Sequence, residues 1–454
     1  MSNLKTNSLP KWEGYEKILF RFFAIYFLLQ VLPLDWKYYG NLFSINWANL
    51  RFGDIFYIGR YTPQFISGST SPGTWGLGTF ADWALLAVIA LIGTFVWTAR
   101  DKTAQNYDRL YYWVRVILRY RLAIGIIAYG FIKLFPLQAP YPSISNLNTA
   151  YGDFNRWKLF SLSLGIVPGY ESFLGLVEII AGLLLLFRKT ATIGAFIVVV
   201  FTGNVFFSNL AYEGGETVYS FYLVTIALFL VAFDARRLYS LVALREPTPA
   251  NNFKPQLQKG LPANVRLALK TLFVFFFVVL YGYKTYAAYQ RDIYQFPRTA
   301  ALPGAAGLYD VSQYRINSKE IPYDDYHPNR WQDVVFEKWG TISIKSNEPV
   351  IPDSSNTEEI YSTDSQRAYE FNGTAGRIYY SYVVDTSKKV LTLTSRNTKT
   401  KDSLILQYAR PDSSTIILSG VRGQKDSIYA QLTKINKKYL LKEATVGRSK
   451  ALKL

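Results

Sequence analysis

The chain has 454 residues, half of them hydrophobic and 17% aromatic, while charged residues reach only 18%, below the roughly 25% of a soluble domain. Its net charge of +18 is divided: residues 291–454 hold 24 Lys/Arg and 18 Asp/Glu, and the other 26 and 14 lie upstream among apolar runs, as in a membrane section followed by a water-soluble one. With no cysteine, one histidine (His327) and Met1 as the only methionine, the composition excludes disulfides, thiolate metal sites, iron–sulfur clusters, haem, zinc, Cys nucleophiles and a Ser-His-Asp triad within the membrane.

Seven stretches approach the ~20 apolar residues that a membrane-spanning helix needs: 18–34, 83–97, 112–135, 170–187, 191–210, 219–233 and 267–288. The first ends at Pro33, Leu34, Asp35 and Trp36, an interfacial boundary rather than a cleavage site. Basic residues between the stretches set the orientation, with fourteen on one side and five on the other. The positive-inside rule then puts the N-terminus inside and the C-terminus outside after seven crossings. Trp12, Trp36, Trp75, Trp83, Trp97 and Trp113 stand where aromatic belts belong.

The connections differ in character. Residues 37–78 form a long aromatic outer loop whose apolar part, 45–58, reads as a helix lying in the interface. Residues 137–168 are a second long outer loop, whereas Arg188, Lys189 and Thr190 make a tight turn that pairs spans four and five as an antiparallel hairpin. The Pro-rich basic segment 238–262 reads as an inner linker held near the anionic leaflet.

From Gly307 onward the hydrophobic period falls to two. Segments 308–314, 334–336, 341–344, 378–383, 389–395, 403–408, 415–418, 427–432 and 439–442 read as strands joined by hairpin-length turns. Eight or nine such strands suit an up-and-down meander closed into a small lipocalin-like barrel, with an open sandwich as the competing fold. Its interior holds either packed side chains or one small ligand. Residues 347–364, rich in Ser, Asn, Pro and acids, read as a mobile loop.

Ionisable groups inside spans are the first candidates for function, because each costs roughly 2.5–3.5 kcal/mol to insert. Arg21, Arg115, Arg119 and Arg121 lie near the inner ends and can snorkel. Lys133 and Glu178 lie in the outer half, as do Asn204, Asn209, Tyr212, Glu213, Glu216 and Tyr219, and one polar cluster is expected from them. It reads either as an ion pair with helix-bridging amides or as a pocket for the polar head of a quinone or lipid. Gly175, Gly182 and Gly194 would let neighbouring helices approach closely. In the tail, Asp324, Asp325 and His327 between Pro322 and Pro328 read as a solvated loop, and Asn372, Gly373 and Thr374 match a glycosylation sequon.

Tyr129, Gly130, Phe131, Ile132 and Lys133, then Tyr151, Gly152 and Asp153, then Gly175 and Glu178, with Gly182, Arg188, Gly194 and Asn204, together resemble the DoxX-like membrane family. The long Bacteroidota-type members carry extra spans and a C-terminal β domain. The resemblance covers about residues 109–238 and, more loosely, the tail, where Gly307–Val311 and Arg330 with Trp331 match. It implies a four-helix module and a role as a subunit of a membrane complex, in some relatives quinone-linked. This chain lacks the thiols of a thiol–quinone route.

The expected architecture is an α-helical membrane bundle of about seven spans plus a C-terminal all-β meander. Its parts are residues 1–108 (spans one and two), 109–238 (the DoxX-like bundle), 239–290 (linker and last span), 291–306 (a periplasmic linker) and 307–454 (the β domain). The expected setting is a bacterial inner membrane, with the N-terminus cytoplasmic and the β domain periplasmic. The leading role is a scaffold that docks an envelope protein through the β domain and outer loops, with membrane lipid, and not nucleic acid, as its other contact. The alternatives are a quinone- or lipid-linked oxidoreductase subunit using Tyr129, Lys133, Glu178, Asn204, Asn209, Tyr212 and Tyr219, and a carrier with an apolar ligand in the barrel.

Overall fold

The computed structural model describes residues 12–66, 80–248, 263–291, 295–353, 364–397, 402–423 and 426–443. Lys5, Lys11, Trp75, Lys254 and Lys259, most of the basic linker and residues 354–363 of the expected mobile loop lie outside the described residues. In chain order the helices are α1 (Gly14–Val31), α2 (Trp36–Ser44), α3 (Phe52–Gly59), α4 (Ala81–Arg100), α5 (Asp108–Leu134), α6 (Ile144–Leu147), α7 (Arg156–Gly165), α8 (Pro168–Leu185), α9 (Ala191–Ala211), α10 (Thr217–Ala232), α11 (Ala235–Tyr239), α12 (Ala263–Val274) and α13 (Tyr281–Arg291). The strands are β1 (Gly307–Ile316), β2 (Lys319–Glu320), β3 (Asp333–Phe336), β4 (Thr341–Lys345), β5 (Ile378–Asp385), β6 (Val390–Ser395), β7 (Ser403–Ala409), β8 (Thr415–Arg422) and β9 (Asp426–Ile435), followed by α14 (Leu440–Glu443). Two compact units result: one of residues 1–135 with 173–287, the other of 136–172 with 288–454.

The first unit is a helical bundle, and each of the seven predicted spans is helical in it. Five segments are long and apolar enough to cross a membrane: Gly14–Ser44, Ala81–Arg100, Pro168–Leu185, Ala191–Ala211 and Asn264–Arg291. A sixth is the pair Thr217–Ala232 and Ala235–Leu244, bent by 72°. Helix α5 has the length, at 27 residues, but carries too many charges to count as apolar. It buries Arg121 and Lys133 and half-buries Arg115 and Arg119, and α1, α3 and α10 all pack on it.

Two expectations are corrected here. Arg21 and Arg121 do not snorkel: they are 4% and 9% exposed. Arg21 donates to the Tyr107 hydroxyl, Thr98 Oγ1 and the Asp101 carbonyl; Arg121 donates to the Tyr61 carbonyl at 2.7 Å and the Tyr222 hydroxyl at 3.3 Å. A guanidinium that finds fixed acceptors between helices has no need to reach for water. Nor does the apolar part of the long outer loop lie flat. Helix α3 buries Ile55 and Phe56, and its Gly59 sits against Ile124 and Ala128 of α5. Only α2, with Trp36 and Phe43 exposed, keeps the profile of an interfacial helix.

The second unit is a closed antiparallel barrel of eight strands, in the order β1-β3-β4-β5-β6-β7-β8-β9, with β9 pairing back to β1 and β2 hanging on the end of β1. Sequential neighbours pair, as short turns require. The alternation in β1 is not strict, since Tyr309 and Val311 point inward and so does Tyr314. A bulge between Val311 and Gln313 absorbs the odd residue. The expected last strand, 439–442, is instead helical, as α14. With β9 already closing the ring on β1, no open edge remains for another strand.

Inside the barrel Tyr309, Tyr314, Trp331, Phe336, Tyr380 and Tyr382 interdigitate with Leu and Ile side chains, none of this core more than 4% exposed. Among the described residues the barrel interior is thus filled by packed side chains, one of the two interiors open to a barrel of this size.

Candidate functional site

In the bundle the site grows from a helix crossing. A methyl group on Gly130 of α5 would come within 2.7 Å of the Ile179 side chain and 3.0 Å of the Gly175 carbonyl, and one on Gly175 of α8 would strike Gly130 and Leu134. The two glycines therefore let the backbones touch. Three residues further along each helix stand Lys133 and Glu178, on the same face one turn on. Lys133 Nζ donates to Glu178 Oε1 at 2.6 Å, and the residues are 6% and 3% exposed. Glu178 Oε2 is buried with no hydrogen-bond partner.

Around this pair the aromatic rings stack in sequence. Lys133 Nζ lies 5.7 Å from the Tyr129 ring, which packs edge-on to Phe56 at 5.1 Å and lies 5.4 Å from Tyr219. The Tyr219 hydroxyl donates to the Gly59 carbonyl at 3.4 Å. Arg60, beside Gly59, forms an ion pair with Glu216 at 2.5 Å, and the Glu216 backbone N–H donates to Asn209 Oδ1 at 3.2 Å.

Of the predicted cluster, the fold thus gathers Lys133, Glu178, Tyr129, Tyr219, Glu216 and Asn209. Asn204, Tyr212 and Glu213 are exposed and take no place in it. Sequence reasoning missed Arg60, which counted only as a loop charge, and Arg121. A signal for Arg121 exists: Arg121, Gly125, Tyr129 and Lys133 recur every fourth residue, which is one face of a helix. A side chain at Gly125 would meet the Tyr219 hydroxyl, so this face is the one turned inward.

The second unit holds a different set of buried charges. Residues 136–172 cover the outside of β3, β4 and β5. Asn155 caps α7 by accepting from the Lys158 N–H at 2.8 Å. That turn places Lys158, fully buried, with its ammonium 3.8 Å from the Tyr369 ring centre and donating to the Tyr369 carbonyl. Glu337 accepts from the Ser145 N–H at 2.7 Å, the Ser145 hydroxyl at 2.6 Å and the Ile144 N–H at 3.1 Å. Glu370 accepts from Trp339 Nε1 at 2.7 Å and the Thr341 hydroxyl at 2.8 Å.

Burial, and then repulsion from Glu337, pushes the Glu370 carboxyl up to about 7. Burial likewise raises Glu337, opposed by the donors from Ser145. The Lys158 ammonium is pulled down to about 7 by burial against the pull of Glu370. These groups are enclosed by protein. They clasp the 136–172 segment onto the barrel.

Among the described residues, another part of the barrel's outer face is exposed. Register places Val383, Thr392, Ile405 and Val421 side by side across β5, β6, β7 and β8. Val383, Ile405 and Val421 are 65%, 60% and 44% exposed. Of the rows on either side, Ser381–Thr394–Ser403 carries no charge and Asp385–Val390–Gln407–Ser419 carries one, Asp385 at its β5 end. In a tail of 42 charged residues this is an unusually neutral sheet face.

Other sequence signals carry no site. No group of three or more His, Cys, Asp or Glu among the described residues could hold a metal ion. Asp324 and Asp325 are spent on their own loop, accepting from the Tyr326 N–H and the Tyr323 hydroxyl, and His327 Nδ1 accepts from the Asn329 N–H. Asn372 is 4% exposed, which closes it to glycosylation. A cavity of about 100 Å³ at the barrel rim, lined by Arg377, Tyr379, Asp402 and Arg422 among others, falls below the ~300 Å³ at which small-molecule sites begin.

No known family model matches this chain. No curated protein and no solved structure matches it either. The likeness to the DoxX-like family rests on the motif residues alone.

Proposed function

We propose that this protein is an inner-membrane docking subunit of a bacterial envelope complex, a long DoxX-like bundle that presents a periplasmic lipocalin-like barrel to a protein partner. The observation that carries this reading is the neutral row of Val383, Thr392, Ile405 and Val421. Exposed apolar contact area without charge is what a protein interface core needs. One face of the barrel is clothed by the chain's own residues 136–172; this one awaits another surface.

The topology also supports it. Residues 136–172 fold into one unit with the tail, which supports putting both on the same side of the membrane with an even number of crossings between them. Helices α8 and α9 and the α12–α13 segment are long and apolar enough for three crossings, and the bent pair beginning with α10 for a fourth. With the positive-inside bias this side is the periplasm. A C-terminal tag in intact spheroplasts should therefore be lost to added protease; its survival would reverse the orientation.

The docking role is tested by charge on the bare face. Ile405→Glu together with Val421→Lys should leave the barrel folded, because both side chains point outward. Stoichiometric companions recovered from gently solubilised membranes should fall at least tenfold relative to wild type. Recovery at the wild-type level, or a wild-type protein that emerges alone from several mild detergents, removes this reading.

A second reading has one observation in its favour. Glu178 Oε2, buried without a partner, could accept a hydrogen bond from a quinone or lipid headgroup beside Lys133 and Tyr129, as in a quinone-linked oxidoreductase subunit.

A further inference from the structure

At the other end of the bundle, where basic residues concentrate, side chains of three elements meet. Arg119 of α5 is one of them, and its Nε is buried without a hydrogen-bond partner. Tyr120, the next residue, packs edge-on against Phe273 of α12 at 4.9 Å. Lys270, one turn before Phe273, places its ammonium 3.8 Å from the ring centre of Phe187, in the turn between α8 and α9. Arg188 follows Phe187, and both Arg188 and Lys270 lie near enough to Arg119 to repel its charge.

Two of these cations, Arg119 and Lys270, come together from two helices, and no described carboxylate forms an ion pair with either. Like charges brought together and partly withdrawn from water are unfavourable unless an anion joins them. Phe187, Tyr120 and Phe273 line the same place with apolar surface, and Phe187 is 54% exposed. A ligand that satisfies both features is anionic at one end and greasy at the other. We propose that this basic and aromatic cluster binds the phosphate of an anionic phospholipid, whose acyl chains run along Phe187 and Phe273. The basic pockets between spanning helices that hold acidic headgroups in other membranes follow the same physics.

The test is native mass spectrometry of the full-length protein in detergent, titrated with phosphatidylglycerol, phosphatidylcholine or inorganic phosphate. Wild type should retain phosphatidylglycerol at least tenfold more strongly than phosphatidylcholine. Arg119→Gln with Lys270→Gln should abolish that preference, whereas Arg100→Gln, an exposed cation at the end of α4, should preserve it. Equal retention of the two lipids by wild type overturns the proposal, as does an unchanged preference in the double variant. Displacement of phosphatidylglycerol by millimolar inorganic phosphate would overturn it too, by assigning the cluster to the free ion. Should the double variant fail to fold, Lys270→Gln alone carries the test, and an unaltered preference there counts against the lipid.

Discussion

Alanine in place of Lys133 is expected to cost the helical bundle about 3 kcal/mol or more, because it strands the Glu178 carboxylate without a counter-ion in a buried site. Replacing both partners by apolar side chains, Lys133→Met with Glu178→Leu, should recover most of that loss, since matched burial no longer has to offset the desolvation of two charges. Detergent-titrated unfolding of the purified protein measures both. The comparison separates two meanings of the pair. If the apolar double variant is stable and retains its companions, Lys133 and Glu178 are a helix clamp and the quinone-linked reading falls. If it is stable but inert, the unpartnered oxygen of Glu178 has work beyond holding α5 to α8. A double variant as damaged as Lys133→Ala would instead show that the crossing at Gly130 and Gly175 depends on the charges themselves.

Much of this architecture can be read from residue patterns, and the failures have physical causes. Long apolar runs and a period of two are local signals, so the helices and eight of the nine expected strands emerge from them. Closure is not local. It follows from β9 returning to β1 across the whole tail, and it leaves residues 439–442 no edge on which to be a strand. The misreading of Arg21 and Arg121 has the same origin. Position along a span says how far a cation lies from water, but only the helix partners say whether acceptors such as the Tyr107 hydroxyl or the Tyr61 carbonyl are nearer.

The candidate sites divide along the same line. The spacing that brings Lys133 to Glu178 is written in the sequence as two glycines, each three residues upstream of an ionisable group. Asn204 shares their depth but faces away, since depth without helix phase is half an address. The neutral row across β5 to β8 is harder to see. Val383, Ile405 and Val421 are unremarkable singly, and their alignment exists only through the strand register. Residues 136–172 show the converse. They read as a loop between spans, yet they supply Ser145, Asn155 and Lys158 to the β domain through contacts 200 residues away, which no local window contains.

The stability of the β domain should pass through a minimum near neutral pH. Glu370 has its carboxyl raised from 4.5 to about 7 in the folded state. Between those values the unfolded chain has released a proton that the folded chain keeps, so stability falls as pH rises. Lys158 has its ammonium lowered from 10.5 to about 7. Above 7 the unfolded chain holds a proton that the folded chain has lost, so stability climbs with pH toward 10.5. At about 1.4 kcal/mol per unit, the acid limb of Glu370 amounts to roughly 3 kcal/mol and the alkaline limb of Lys158 to roughly 5 kcal/mol, and mutual attraction of the two charges makes the trough shallower. Glu370→Gln should reduce the acid limb to the part that Glu337 contributes and leave the alkaline one, and Lys158→Met should flatten the alkaline limb and leave the acid one. Urea unfolding followed through the fluorine resonance of 5-fluorotryptophan at Trp339, which donates to Glu370, reads this domain within the full-length protein. A profile that rises or falls steadily through pH 5 to 10, indifferent to both substitutions, would mean that these groups keep their ordinary charges beneath the 136–172 segment. The clasp would then have to be assigned to neutral hydrogen bonds such as those between the Ser145 and Ser343 hydroxyls and from the Asn146 amide to the Glu370 carbonyl.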